Sequence, residues 1–240
     1  MKSQGSTLKH RYLIQQRELF GDRLYTGLDG SNFFVDKEEI TYQSITLDDF
    51  DKEICHCQKC QLGKNRTNFV FGVGDPNGSL MLVGEAPGEQ EDLKGEPFVG
   101  PAGKLLDKIL TAIDKKRDKG VYIANVIKCR PPNNRDPLPS EVEKCEPYLI
   151  RQIKFVKPKL IVALGRVAGK TLLKQDIPLK HMRSKTFDYC GTPLRVTYHP
   201  AALLRNPGLK AAAWELSLIH ISEPTRRYAI AYAGFCVKKK

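Results

Sequence analysis

Short apolar runs alternate with segments of helical spacing along most of the 240-residue chain. Four of these runs have the length and composition of β-strands, and they cover residues 80–86, 121–127, 159–165 and 193–199. Three of the four are almost continuously apolar, which is typical of parallel strands that are buried on both faces. The pattern therefore predicts a sheet whose main strands run parallel inside the protein.

Segments with one apolar face lie between the strands. In residues 101–113 the apolar positions recur at spacings of three and one, which predicts a helix. Residues 140–156 carry a similar stripe and begin with Ser140, followed three positions later by Glu143, which is the pattern of a capping box. A shorter helix is predicted over 166–173. Strands that alternate with helices in this way indicate an α/β layered domain built from βαβ units.

The regular pattern covers only part of the chain. Residues 1–46 are polar and interrupted by glycines, so we expect a loosely structured N-terminal extension. Residues 47–54 predict a short helix that leads to the first cysteines. Residues 217–240 break with the preceding pattern and resemble translated sequencing-adapter sequence. We therefore expect the folded domain to cover residues 47–216 and treat the tail as suspect.

The chain is basic, with 39 Lys and Arg against 27 Asp and Glu and a formal net charge of +12. A basic surface attracts polyanions such as nucleic acids, although solubility alone explains such a charge equally well. No apolar run reaches the ~18 residues that span a bilayer, and the first residues lack the apolar core of a secretory signal. We therefore expect a soluble cytoplasmic protein with no membrane partner.

Seven cysteines in a chain expected to be cytoplasmic favour metal ligands or catalytic thiols over disulfides. Cys57 and Cys60 form a close pair, and Cys129 and Cys145 follow at a distance from it. Four thiolates from separate segments suit a [4Fe–4S] cluster, with tetrahedral zinc as the competing interpretation. Cys145 lies on an apolar stripe, so a buried structural cysteine is the alternative there.

Polar motifs follow three of the predicted strands. Residues 84–92 (GEAPGEQED) carry four carboxylates, which would repel phosphate and instead suit a reaction that develops positive charge on its substrate. The second strand leads to Asn125 and then to the basic segment 128–135, and the fourth strand ends at His199. The carboxyl ends of parallel strands meet at one edge of a sheet, so these motifs predict a ligand site there.

Four motifs taken in order, GEAPGEQED, GEPFVGPAG, YIANVIKCRPPNNRDP and TYHPAALLRNP, resemble the iron–sulfur uracil-DNA glycosylases of family 4. The resemblance extends over roughly residues 47–216. It implies a three-layer αβα fold around a four-stranded parallel sheet and a [4Fe–4S] cluster at the four cysteines. It also implies hydrolysis of the N-glycosidic bond of deoxyuridine in DNA, and we expect a monomer that acts on single- or double-stranded DNA. Free uracil and an abasic site would result, as the first step of base excision repair.

The resemblance also implies roles for individual side chains around a flipped-out uracil. Phe98 would stack on the base. Asn125 would meet the imide N–H and O4 together, and cytosine reverses that pattern of donor and acceptor. His199 would donate to O2 as the leaving group becomes anionic.

Three further positions of the first two motifs complete the implied base and sugar site. Glu85 would face the sugar or the attacking water, and Glu91 would occupy the space that a thymine methyl needs. The backbone around Ala86 stands where other uracil glycosylases carry a water-activating aspartate. The general base is therefore unassigned.

A DNA-binding surface is expected beside this site. The apolar pair Leu203 and Leu204 would wedge into the duplex, with a core contact as the alternative. Four basic side chains are candidate phosphate partners, and each is equally well a solvated surface charge: Lys128, Arg130, Arg135 and Arg205. We expect the cluster to hold the loops that carry Arg130 and Arg135 against DNA.

Three other functions compete with hydrolysis. A silent DNA-binding module would not need intact Glu85, Asn125 and His199. An electron-transfer protein is disfavoured because only one cluster site is present beside a full base pocket. A relative that captures the abasic sugar covalently would carry a basic insert, which the short segment from Arg183 to His199 lacks.

Overall fold

A computed structural model describes residues 46–213. The strands are β1 (Val73–Gly74), β2 (Leu80–Gly84), β3 (Val121–Asn125), β4 (Leu160–Leu164), β5 (Phe187–Tyr189) and β6 (Thr192–Thr197). The helices are α1 (Leu47–Ile54), α2 (Leu62–Asn65), α3 (Glu89–Lys94), α4 (Pro101–Ala112), α5 (Pro139–Val156), α6 (Arg166–Leu173), α7 (Leu179–Arg183) and α8 (Pro200–Arg205). Two short 3-10 turns cover Pro132–Asn134 and Pro207–Leu209.

The strands form one sheet in the order β1-β3-β2-β4-β6-β5. The four predicted strands are its parallel centre, β3-β2-β4-β6. The edge strands β1 and β5 pair antiparallel with β3 and β6 and were not predicted. With only two and three residues, they are too short to produce a recognisable apolar pattern.

Both faces of the parallel centre are buried, which explains the nearly continuous apolar runs. Alternate side chains point to opposite faces, so Met81 and Val83 pack in one cluster and Leu80 and Leu82 pack in another. The first cluster includes apolar residues of α1, α5 and α6, and the second includes apolar residues of α4. The predicted three-layer αβα arrangement is therefore confirmed.

Helix α5 begins two residues earlier than the predicted cap indicated, at Pro139. Its N-cap is Leu138, so the prediction of Ser140 as the cap with Glu143 reaching back is wrong. Glu141 instead accepts the backbone N–H of Leu138 at 2.8 Å and forms an ion pair with Arg135 at 2.6 Å. These contacts fix the turn that leads from the third motif into the helix.

The predictions for the N-terminal extension and the suspect tail lie outside the described residues, except for Thr46, which caps α1. Among residues 46–213, no helix is both long and apolar enough to cross a membrane.

Candidate active site

A cavity of about 500 Å³ opens at the carboxyl ends of the parallel strands. Most of its wall comes from the segments that directly follow β2, β3, β4 and β6. The cavity brings together all the predicted base-binding and catalytic residues: Glu85, Ala86, Glu91, Phe98, Asn125 and His199.

Asn125 is the last residue of β3, and its side chain is enclosed, with 2% of the residue exposed. It lies beside Gly84, the last residue of β2. A Cβ atom at position 84 would overlap Asn125 Oδ1 and stand 2.6 Å from Cζ of Phe98, so only glycine fits there. Oδ1 accepts no hydrogen bond from any residue that the structure describes. A buried acceptor without a partner costs about 1–3 kcal/mol, which indicates that a ligand supplies the missing donor.

Phe98 forms a wall of the same cavity in a constrained backbone conformation. Its φ angle is 55°, in the left-handed region that is unfavourable for a bulky side chain. The guanidinium group of Arg117 donates to the carbonyl oxygens of Pro97 (2.9 Å) and Phe98, and so fixes this turn. The Phe98 ring lies 5.5 Å from the His199 ring, with 31° between their planes. The two aromatic rings therefore lie side by side in the cavity wall.

His199 caps the N-terminus of α8, and this contact determines its tautomer. Its Nδ1 atom accepts the backbone N–H of Ala201 at 3.1 Å, so a neutral ring carries its proton on Nε2. Burial and then the charge of Arg205 lower the pKa of His199 to about 4, against an opposing effect of Glu91. At neutral pH the imidazole is therefore an uncharged Nε2–H donor.

The pKa of Glu85, another side chain of the cavity wall, is raised, whereas that of His199 is lowered. Burial raises the pKa of its carboxyl to about 7. The neighbouring charge of Asp136 raises this pKa further, and Arg166 lowers it. A carboxyl group that titrates near neutrality inside a cleft is typical of a catalytic acid, base or charge stabiliser.

The remaining carboxylates of the first motif have separate partners. Glu91 Oε1 accepts the backbone N–H groups of Val99 (2.9 Å) and Gly100 (3.1 Å), which holds it rigidly in the cavity wall. Asp92 is buried and accepts the N–H of Thr67 at 3.0 Å. Of the four carboxylates in this motif, two line the cavity: Glu85 and Glu91.

Comparisons with known proteins show the family to which the chain belongs. The family model of the uracil DNA glycosylase superfamily matches residues 71–219. A type-4 uracil-DNA glycosylase of Archaeoglobus fulgidus is 48% identical over 173 residues, covering 69% of this chain and 86% of that protein. The type-4 enzymes of Sulfurisphaera tokodaii and Saccharolobus solfataricus are 42% and 44% identical, over 78% and 68% of this chain and 90% and 80% of their own lengths.

The chain belongs to the type-4 uracil-DNA glycosylases. The family, the α/β fold and the class of hydrolase predicted from the sequence are confirmed.

The expected DNA-binding residues of this glycosylase differ in accessibility. Leu203 is 2% exposed and belongs to the core, whereas Leu204 is 44% exposed. The prediction of a two-leucine wedge is therefore wrong for Leu203, because the two residues point to different sides of the short helix α8. Lys128 is 0% exposed, so its expected role as a phosphate partner is also wrong.

The three arginines of this surface are placed differently from one another. Arg135 forms a two-point ion pair with Glu141, with contacts of 2.9 and 2.6 Å. Arg130 donates to Asn134 Oδ1 at 2.9 Å. Arg205 lines the cavity. Asn134 and its neighbour in the 3-10 turn both have positive φ angles, which asparagine tolerates better than most residues.

The four predicted cluster ligands of the glycosylase lie near one another, none in a disulfide. Burial raises the pKa of the Cys129 thiol, and the nearby Cys60 and Cys57 raise it further. Burial likewise raises the pKa of Cys145 to about 11, with Cys129 and Cys60 adding to the effect. Three sulfur atoms accept hydrogen bonds: Cys129 from Arg66 Nη1 (3.2 Å), Cys145 from the Lys128 N–H (3.3 Å) and Cys57 from the Tyr148 hydroxyl (3.2 Å). Such donors stabilise thiolates that bind a metal. Within residues 46–213, no three Cys, His, Asp or Glu side chains are placed to hold a single metal ion.

Several supporting residues were missed by the sequence analysis. Arg66 joins the cysteine segments, since it donates to the carbonyls of Cys55 and Cys57 as well as to Cys129. Arg117 supports Phe98 from a distant loop. Neither residue belongs to an apolar period or a spaced motif, so the sequence alone carries no signal for its role. Gly84 opens the first motif, and its position directly before Glu85 could have indicated a close approach of the backbone.

We expect the His199 ring to stay neutral, with its proton on Nε2, from pH 8 down to about pH 5, because burial and Arg205 disfavour the imidazolium. Two-dimensional ¹⁵N NMR of the imidazole would report both the tautomer and a titration midpoint near 4. An Arg205→Met variant should raise this midpoint. Protonation on Nδ1, or a midpoint above 6 in the unmodified protein, would contradict the assignment.

Proposed function

We propose that this glycosylase hydrolyses the N-glycosidic bond of deoxyuridine in single- or double-stranded DNA, releasing uracil and leaving an abasic site. This reaction is the first step of base excision repair. The observation that carries the proposal is the unpaired, buried Oδ1 atom of Asn125, which faces a cavity between Phe98 and His199. A pocket of this size accepts one flipped nucleotide, whose extrusion from a duplex costs a few kcal/mol.

Recognition of uracil follows from the amide of Asn125. Its Oδ1 accepts the N3–H of uracil, while its Nδ2 donates to O4. Cytosine offers an acceptor at N3 and a donor at position 4, so the same amide orientation would oppose it at both atoms. Paired contacts of this kind discriminate between bases by about 1–3 kcal/mol. The close fit around Gly84 and Phe98 keeps the side chain in one place.

Exclusion of thymine follows from the fixed position of Glu91. The two backbone N–H groups that bind its Oε1 leave the carboxylate little freedom to move aside. In the proposed pose it stands beside C5 of uracil, where the methyl group of thymine would need space. Displacing the carboxylate would break both hydrogen bonds.

Bond cleavage separates charge between the base and the sugar. The C1′–N1 electron pair leaves with uracil, and the negative charge spreads onto O2, where the neutral Nε2–H of His199 donates a hydrogen bond. The deoxyribose becomes positively charged, and ionised Glu85 stabilises it or orients the attacking water. Water then forms the new C1′–O bond and loses a proton to solvent. A donor aimed at a developing oxyanion contributes about 10²–10³ in rate.

The exposed Leu204 is the wedge in this proposal, filling the space that the flipped nucleotide leaves in a duplex. Arg205 lies in the following position at the mouth of the cavity and contacts a phosphate next to the target. Arg130 and Arg135 extend this surface, and their ion pairs with Glu89 and Glu141 fix their positions. Action as a monomer in the cytoplasm stays a prediction.

The four cysteines are proposed to hold a [4Fe–4S] cluster. Thiolates from separate segments suit such a cluster better than a zinc ribbon, whose ligands come in two close pairs, and three of the sulfur atoms already accept hydrogen bonds. Cys57 and Cys60 follow α1, Cys129 follows β3 and Cys145 lies in α5, so the group would cross-link three segments. Hydrolysis of a glycosidic bond moves no electrons, and the cluster therefore supplies structure rather than redox chemistry.

Removing the side chain of Asn125 or of His199 should greatly slow the release of uracil. Asn125→Ala should lower the single-turnover rate by about 10- to 100-fold, and His199→Ala by about 100- to 1000-fold. The measurement is free uracil released from an oligonucleotide with one uracil. Asn77→Ala, which removes the same amide at an exposed loop position, should behave like the unmodified protein. An unmodified protein that releases no uracil, or an Asn125→Ala protein with full activity, would refute the proposed function.

The rate should fall in acid as Glu85 becomes protonated. Because the ionised form is the active one and its pKa is about 7, the rate should rise about tenfold per pH unit below 7 and level off above it. Removing the charge of Asp136 with Asp136→Asn should move the midpoint down, and Arg166→Met should move it up. A Glu85→Gln protein that keeps the same acid limb would exclude Glu85 as its source.

A further inference from the structure

Lys128 is a completely buried lysine that lies between the cysteine site and the base pocket. It is the third residue after Asn125 and the residue directly before Cys129. Its backbone N–H donates to the sulfur of Cys145 at 3.3 Å. The main chain of one residue thus contacts the proposed cluster ligands, while its side chain returns towards the end of β3.

The ammonium group of Lys128 is held by two short hydrogen bonds. One goes to the backbone carbonyl of Asn125 at 2.7 Å, and the other goes to Oε1 of Gln152 at 2.6 Å. Gln152 is itself buried, and its Nε2 donates to the carbonyl of Phe71 (2.9 Å) and to the hydroxyl of Tyr122 (3.3 Å). Helix α5 therefore fixes the ammonium group, and the ammonium group fixes the peptide that carries the base-reading side chain.

A buried ammonium group normally needs a negative partner. Both hydrogen-bond partners of the Lys128 side chain are neutral. Among the described residues, no carboxylate forms an ion pair with it. The proposed cluster ligands are the nearest source of such a charge: Cys145 accepts the backbone N–H of Lys128, and Cys129 is the next residue in the chain. The thiolates of a cluster would therefore supply the missing counter-charge.

We propose that Lys128 is a positioning residue that couples the cluster to uracil recognition. The negative charge of the cysteine ligands stabilises its ammonium group, and the ammonium group orients Asn125 through the carbonyl of that residue. The cluster then contributes to base selectivity as well as to the stability of the DNA-binding loops. This inference rests on the proposed function and on the proposed cluster.

The test separates base selectivity from general DNA binding. Iron, sulfide and zinc are first measured in the unmodified protein. Affinities are then measured for two oligonucleotides that differ in one nucleotide, a non-hydrolysable 2′-fluoro-deoxyuridine or deoxycytidine. Lys128→Met keeps the length of the side chain without its charge, and Lys108→Met makes the same change at an exposed position of α4.

Lys128→Met should reduce the preference for the uracil oligonucleotide about tenfold or more, because a charged hydrogen bond to the Asn125 peptide is lost. Its affinity for the deoxycytidine oligonucleotide should stay within about threefold, and a chelator should remove its iron faster, because the counter-charge is lost. Lys108→Met should change neither quantity. Unchanged uracil preference, or unchanged iron release, in Lys128→Met would overturn the coupling.

A second variant covers the case in which Lys128→Met does not fold. Gln152→Leu removes one of the two anchors of the ammonium group and leaves the bond to Asn125 possible. It should lower the uracil preference by about three- to tenfold, and a preference equal to that of the unmodified protein would refute the inference. An unmodified protein without any preference for uracil would instead refute the proposed function. An unmodified protein with zinc and no iron would refute the cluster.

Discussion

A buried amide oxygen without a protein partner is the constraint on which this site depends. Asn125 Oδ1 lies in a space that β2, β3 and the Phe98 ring close so tightly that even a methyl group at position 84 would overlap it. The parallel sheet supplies the rigidity, because the last residues of β2 and β3 are paired in register. A flexible loop could turn such an oxygen towards water. The strand end instead holds the oxygen at the cavity, where a bound base can supply the missing donor.

The electrostatics of the cavity match a reaction that separates charge. On the base side His199 is uncharged, so it can donate to a developing anion without a proton being removed or added first. In the proposed mechanism Glu85 faces the sugar, and a pKa of about 7 makes its charge available there at neutral pH. Burial shifts both pKa values, and the neighbouring charges of Arg205, Asp136 and Arg166 adjust them.

Much of the fold and of the site could be predicted from the sequence, for identifiable reasons. Strands that are buried on both faces give continuous apolar runs, and polar residues at their carboxyl ends meet in one crevice, which placed Asn125 and His199 correctly. Lys128 was misassigned because its side chain turns inward to Gln152 of α5, a contact between distant segments that the sequence does not reveal. Leu203 and Leu204 could not be told apart, since a six-residue helix has too few positions to define its apolar face. The cluster and the roles of individual side chains depended on family resemblance.

The central claim is that Asn125 reads the imide edge of uracil while His199 meets O2. The most direct measurement is a crystal structure of the protein with free uracil bound. The account predicts the ring stacked on Phe98, with N3 and O4 within hydrogen-bond distance of the Asn125 amide and O2 facing His199 Nε2. Uracil bound elsewhere, or bound in this cavity with its imide edge turned away from Asn125, would contradict it.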